Sequence, residues 1–388
     1  MTVVEVGPRD GLQNEPVLLG TDDKVAYLEA LAGAGLTRIE AVSFAHPRLV
    51  PQLADAEQVM ARVPRRDGLS YIGLVLNARG LDRALGAGVN EVNVVLVATG
   101  TFSLRNQNMT VAEALTSFSA IAARACGVRV TATIGAAFGC PFEGEVPAEH
   151  VAELAWRCAE SGADEIALAD TIGVGVPADV RRLVAAVRER TSLPLRFHFH
   201  NTRNTGYANA LAAVEAGASA LDASSGGIGG CPFAPTATGN IATEDLAYAL
   251  RRSGVGTGVR VDRLVSAASF VGERLGRQVP ALLGRAGDFP PPTATAAPPS
   301  HHTQGSVPTQ HAQGTPPSHH AQGTVPTQHA QGTPPSQHAH GAAPAQHGSG
   351  PGQARGPGAG HAPEPEAGQA WEARAGQRGA GFGRGAVG

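Results

Sequence analysis

The chain has 388 residues, a net charge of −3 and only 4% aromatic residues, a balance that suits neither phosphate-backbone binding nor base stacking, so nucleic acid is not an expected partner. No apolar run reaches the about 18 residues that a membrane span requires, and the chain opens on Val3-Val4-Glu5-Val6 rather than on a charged-then-apolar leader, so we expect no membrane partner and a cytoplasmic location. The four cysteines (Cys126, Cys140, Cys158, Cys231) form no CxxC pair, which agrees with a reducing compartment.

In chain order, the first predicted strand is residues 3–6. Thr21 is placed to cap a helix whose first turn carries Asp22 and Asp23 and whose Val25, Leu28 and Leu31 share one face. Short segments rich in Val, Ile and Ala then recur at residues 37–42, 71–76, 91–97, 128–134, 164–169, 195–200 and 218–223, with helical stretches between them. Val180, Leu183, Val184 and Val187 mark one such helix. Gly35, Gly88, Gly127, Gly162 and Gly217 each stand just before a strand, where a residue in the left-handed region closes the preceding helix. Eight strand–helix units in about 250 residues predict an α/β fold, a (β/α)8 TIM barrel. A doubly wound dinucleotide fold is disfavoured because no GxGxxG follows the first strand.

After the eighth strand come a glycine-rich run from Gly226 to Pro232, one helix over about residues 261–275, and a change of composition. The last 100 residues hold 18 of the 50 glycines and 16 of the 28 prolines but no Leu or Ile. Such a segment has too little apolar surface to offset its ordering entropy. We therefore expect a barrel domain over residues 1–286 and a disordered Pro/Gly/His/Gln-rich tail over 287–388. The tail repeats a nine-residue unit, seen at Thr309-Gln310-His311-Ala312-Gln313-Gly314 and again from Ser318, Thr327 and Ser336. It holds ten of the fourteen histidines, which could bind transition metals adventitiously or simply reflect repeat slippage.

Catalytic groups of such a barrel belong at the C-terminal ends of its strands. Arg9 and Asp10 follow strand 1, Glu40 lies on strand 2, Asp170 ends strand 6, and Cys231 and Asn240 follow strand 8. His198 and His200 are i and i+2 on strand 7, so both imidazoles project to one face and can reach one ion. Asp10 and Asn240 add the oxygen ligands that Mg²⁺ or Mn²⁺ prefers. Arg9 is either a loop ion pair with Asp10 or a guanidinium aimed at a developing oxyanion. Glu40 and Asp170 either take part directly or orient the arginine and histidines. Cys231, on a glycine-rich loop, can act as general acid, general base or redox-sensitive thiol, whereas Cys126, Cys140 and Cys158 look structural. Lys24, the only lysine, falls near the start of the first helix, outside the mouth, so a Schiff-base route is not expected.

The segments Val4-Glu5-Val6-Gly7-Pro8-Arg9-Asp10-Gly11-Leu12-Gln13-Asn14-Glu15, Ile39-Glu40-Ala41-Val42-Ser43-Phe44, Ala169-Asp170-Thr171-Ile172-Gly173, Gly229-Gly230-Cys231-Pro232 and Gly239-Asn240-Ile241-Ala242-Thr243-Glu244-Asp245 resemble, in order, the signatures of the hydroxymethylglutaryl-CoA lyase family. The resemblance runs from residue 3 to about 275 and points to a bacterial branch, because Asn201 stands where animal members carry aspartate. It implies a barrel with a divalent cation held by Asp10, His198, His200 and Asn240, Arg9 on the thioester oxygen, and Cys231 on an active-site loop. It also implies cleavage of a 3-hydroxy-3-methylglutaryl-CoA-like thioester to acetyl-CoA and acetoacetate, the chemistry of leucine breakdown and ketone-body formation, by a homo-oligomer, a dimer. Three alternatives stay open: a related lyase acting on another branched 3-hydroxyacyl-CoA, a condensing acyltransferase of the isopropylmalate or homocitrate synthase type, and a catalytically inactive barrel with a metal-storing tail.

Overall fold

A computed structural model describes residues 1–230 and 239–289 of the chain. Cys231 and the whole repeat region lie outside the described residues. Eight parallel strands pair in sequence order: β1 (Thr2–Glu5), β2 (Arg38–Ser43), β3 (Ser70–Val75), β4 (Glu91–Val97), β5 (Arg129–Gly135), β6 (Glu165–Asp170), β7 (Leu195–Phe199) and β8 (Ala220–Ala223). Thr2 to Glu5 pair with Ala220 to Ala223, which closes the barrel. Around it run α1 (Thr21–Gly33), α2 (Ala56–Met60), α3 (Ala78–Gly86), α4 (Gly100–Gln107), α5 (Val111–Arg124), α6 (Ala148–Glu160), α7 (Pro177–Arg188), α8 (Gly206–Glu215), α9 (Thr243–Arg252), α10 (Val261–Leu275) and α11 (Leu283–Ala286). None of these helices is long and apolar enough to cross a membrane.

Every predicted strand is found, with its ends shifted by at most about two residues. The five helix-closing glycines all adopt positive φ, from 70° at Gly88 to 100° at Gly162. Thr21 does not cap α1: Gly20 occupies that position, and the Thr21 hydroxyl instead donates to Asp55 Oδ2 at 2.7 Å. His200 is not the last residue of β7, which ends at Phe199. It forms an isolated antiparallel bridge with Asn240, because the chain returning from the glycine-rich segment crosses the end of the strand there.

The space between barrel and helices is filled by one large apolar cluster that includes Leu28, Leu31, Phe118, Val180, Val187 and Phe199. Inside the barrel the chemistry differs. A small apolar group of Val4, Val6, Ile72 and Ala220 sits beside charge. Arg38 donates to Glu91 Oε1 and Glu165 Oε2 at 2.6 and 2.7 Å, and the Thr131 hydroxyl contacts the same two carboxylates. The sequence reading placed polar residues only at the C-terminal ends of strands. These charges start at the opposite ends of β2, β4 and β6, and they are tolerated because each is met by an opposite one.

Candidate active site and metal centre

The site begins with the turn after β1. Residues Gly7–Gly11 wind into a π-helical turn in which the Arg9, Asp10 and Gly11 amides all return to Val6 O, at 3.2, 2.7 and 3.1 Å. The expected Arg9–Asp10 ion pair is present, on a wound turn that sets both side chains at the C-terminal end of β1. Glycine is required at its first position, since a Cβ on Gly7 would fall 2.6 Å from both Glu5 Oε1 and the Tyr27 hydroxyl. Beneath the turn, Glu5 accepts from the Gly7 and Ser225 amides and from the Thr243 hydroxyl, at 2.7, 2.8 and 2.8 Å. One buried carboxyl therefore ties the turn to the glycine-rich segment and to the start of α9. Burial pushes its pKa from 4.5 up to about 7, against those three hydrogen bonds.

Arg9 is buried and held at two points. Its Nε donates to Glu40 Oε1 at 2.9 Å and its Nη1 to Asp10 Oδ1 at 2.7 Å. Glu40 is fully buried and also accepts from Asn93 Nδ2 at 3.2 Å, while Asn93 Oδ1 accepts from the Thr133 hydroxyl at 2.7 Å. This chain of contacts fixes the plane of the guanidinium. Burial alone would raise the Asp10 pKa, but the charge of Arg9, that of His198 and the hydrogen bond from Asn240 hold it well below the usual carboxylate range, so Asp10 stays ionised.

Asp10 from the π-turn, His198 from β7 and His200 just beyond its end converge, with one ligand atom from each within 4.8 Å of the others. Burial, reinforced by the charge of His198, pushes the His200 pKa down to about 3, so its imidazole is neutral with a free lone pair. His200 Nδ1 is moreover buried without a hydrogen-bond partner among the described residues. An ionised carboxylate beside two histidines, one of them neutral with an unpaired nitrogen, fits a divalent cation. Asn240 reaches the same place: its Nδ2 donates to Asp10 Oδ2 at 2.8 Å and to Ile228 O at 3.2 Å. In that pose it orients Asp10, and turning the amide about χ2 would bring Oδ1 inward as a ligand. Gly229 makes the approach feasible, because a Cβ there would lie 2.7 Å from Asn240 Nδ2 and its φ is +97°.

Asp170, read from the sequence as either a direct participant or an orienting carboxylate, makes its hydrogen bonds to its own loop. Its oxygens accept from the Val174 and Gly175 amides at 2.9 Å each, so it shapes its own loop after β6, and burial raises its pKa. His198 is oriented instead by Asp222 of β8, whose Oδ2 lies 3.3 Å from His198 Nδ1. Burial disfavours a charged His198, but the bond to Asp222 and the charges of Asp10 and Asp222 outweigh it and raise the pKa. Asp222 was missed by sequence reasoning, although an acid within the apolar four-residue strand Ala220–Ala223 was a usable signal. Lys24 stays out of the mouth, bonded to Asp55 and to Gln52 O. Cys140 and Cys158 are buried as expected, but Cys126 is exposed.

The HMGL-like family model matches residues 1–271. The chain is 43% identical over 311 residues to the (R)-citramalyl-CoA lyase of Chloroflexus aurantiacus, covering 77% of this chain and 98% of that protein. It is 40% identical to the hydroxymethylglutaryl-CoA lyase of Bacillus subtilis, covering 72% and 95%. A solved HMG-CoA lyase from Acinetobacter baumannii, in complex with coenzyme A and 3-methylmalate, superposes with a TM-score of 0.72 at 40% identity, over 76% of this chain and 97% of that one. The signatures, the barrel and these likenesses agree, and the chain belongs to the hydroxymethylglutaryl-CoA lyase family of Claisen-type oxo-acid lyases.

Proposed function

We propose that the chain is a divalent-metal-dependent carbon–carbon lyase that cleaves a 3-hydroxy-3-methylglutaryl-CoA-like thioester to acetyl-CoA and a keto acid, with Mg²⁺ or Mn²⁺ held by Asp10, His198, His200 and Asn240. The observation that carries this reading is the convergence of Asp10, His198 and His200 beside an arginine already fixed by Glu40. A bound divalent cation would supply polarisation of the substrate's carbonyl and tertiary hydroxyl oxygens. The chain supplies the rest. Arg9 spends Nε and Nη1 on Glu40 and Asp10, and no hydrogen bond to a described residue engages Nη2, which is left to meet the thioester oxygen as enolate charge develops there. Glu40 and Asp170 act by holding the arginine and the loop after β6. Cys231, from the segment between Gly230 and Gly239, is the candidate to move a proton, while His198 keeps Nδ1 on Asp222 and gives its other nitrogen to the ion.

A second substrate reading rests on the 43% identity to a citramalyl-CoA lyase. The two thioesters share the methyl-bearing carbinol carbon and differ by one methylene before the terminal carboxylate. A pocket discriminates a single methylene by only about 1–3 kcal/mol, so the same reacting centre can serve either thioester. Incubating the protein with each thioester and Mg²⁺ tests both readings together. Acetyl-CoA with acetoacetate supports the first, acetyl-CoA with pyruvate the second, and undiminished turnover in excess chelator refutes the metal assignment.

A further inference from the structure

Two residues before His198 on β7, and therefore on the same face of the strand, stands Arg196, whose side chain has no exposed surface at all. A buried arginine in a barrel interior demands an explanation, because its guanidinium cannot shed its charge. Its Nε lies 3.2 Å from Asp222 Oδ1, an ion pair and not a hydrogen bond, since neither atom has a hydrogen-bond partner among the described residues, and the other oxygen of that carboxylate, Oδ2, lies 3.3 Å from His198 Nδ1. Its Nη1 lies 3.8 Å from both Glu91 Oε1 and Glu165 Oε2, the carboxylates that Arg38 bridges below. His198 and Asp222 are also register partners on adjacent strands, so the two side chains leave the sheet at the same height.

We propose that Arg196 and Asp222 form a positioning relay that fixes the tautomer and ring plane of His198 from inside the barrel. The inference rests on the metal site proposed above and goes beyond it. With one Asp222 oxygen directed at Arg196, only the other is available to His198 Nδ1. Asp222 there accepts a hydrogen from Nδ1, which leaves the Nε2 lone pair pointing toward Asp10 and His200. A histidine ligand whose other ring nitrogen is held by a carboxylate is fixed in tautomer and orientation and is a better donor. Here the carboxylate is itself pinned by a cation that cannot titrate or reach water. Glu91 and Glu165, each 3.8 Å from its Nη1, offset the buried charge in turn, so the far end of the network serves stability while the Arg196–Asp222 pair serves the site.

The variant Asp222→Asn makes the relay fail in a definite way. Its neutral amide loses the charge that pairs with Arg196, and its single carbonyl oxygen faces either the guanidinium or His198 Nδ1, where the carboxylate turns one oxygen to each. If it turns to the arginine, its NH2 faces Nδ1 and forces the hydrogen onto Nε2, the nitrogen needed by the ion, the same logic by which an Asp-to-Asn change spoils a catalytic triad. Mn²⁺ affinity, read by the EPR signal of free Mn²⁺ in a titration of the full-length protein without substrate, should fall roughly 10- to 100-fold in Asp222→Asn. Glu165→Gln, at the far end of the network, should lose thermal stability while its Mn²⁺ affinity stays within about three-fold of the unmutated chain. Arg196→Lys keeps the charge but removes the guanidinium that lies 3.2 Å from Asp222 Oδ1, should weaken Mn²⁺ binding in the same direction, and carries the test if Asp222→Asn does not fold. His200→Ala separates the two ideas: an unmutated chain that binds Mn²⁺ no better than His200→Ala overturns the metal site and the relay with it. Tight binding by the unmutated chain, lost in His200→Ala but retained within three-fold in Asp222→Asn or, where that variant is unfolded, in Arg196→Lys, overturns the relay alone.

Discussion

Replacing Glu5 by glutamine should make the protein more stable at pH 8 and leave it unchanged at pH 5. Glu5 is fully buried, and its pKa rises from 4.5 to about 7 in the folded chain. Between those values the folded state keeps a proton that the unfolded state has released, so stability falls as pH rises from about 4.5 through 7 and then levels off. The size of the shift corresponds to about 3 kcal/mol lost across that window. Glutamine mimics the protonated acid: its Oε1 accepts from the Gly7 and Ser225 amides, and its Nε2 donates to the Thr243 hydroxyl, which reverses the sense of that bond without breaking it. Urea unfolding followed by far-UV circular dichroism, extrapolated to water at both pH values, reads the difference directly. We expect the two proteins to agree within about 1 kcal/mol at pH 5 and the glutamine variant to lead by about 3 kcal/mol at pH 8. Glu244, whose pKa burial raises to about 8, leaves a residual pH dependence common to both. A glutamine variant equal to or weaker than the unmutated chain at pH 8 would show that Glu5 is ionised in the folded protein and that its three donors outweigh burial.

Arg9→Gln should lower kcat by roughly 10²- to 10³-fold with little change in KM, because the charge it removes faces the enolate and not the ground state; steady-state kinetics on acetyl-CoA release decides. Cys231→Ala should slow turnover by roughly 10²- to 10⁴-fold if its thiol moves a proton, and its residual activity should resist thiol-modifying reagents. Normal turnover in that variant removes Cys231 from the mechanism. A chain ending at Phe289 keeps the Arg251–Asp288 pair and all of α11, and should match the full-length protein in melting temperature and kcat. A large loss in either would mean that the repeat region contributes to the fold.

The fold was legible because the signals that specify it are local and periodic. Each helix-closing glycine announces the strand after it, and β-branched runs between glycine and turn residues locate the strands whatever the barrel does with them. Arg9, Asp10, His198, His200 and Asn240 could be named for a related reason: polar side chains at strand ends in a parallel barrel face the mouth, and the i, i+2 spacing of the histidines survives even though His200 leaves the strand. What the sequence hid is everything that depends on two strands meeting. Asp222 is one acid in a short strand until register sets it beside His198. Arg196 reads as an exposed charge at the start of β7 until the barrel closes over it and surrounds it with Glu91, Glu165 and Asp222. Glu5 likewise looks like the solvent-facing residue of an alternating strand, yet it is buried under α9 because residues far along the chain return to donate to it. A barrel whose interior is charged at the end away from the mouth therefore cannot be told from one with an apolar plug by inspecting strands one at a time. Pairing must come first, and the residues it brings together, Arg196 and Asp222 among them, are the ones that aim the histidine which the sequence alone already marked.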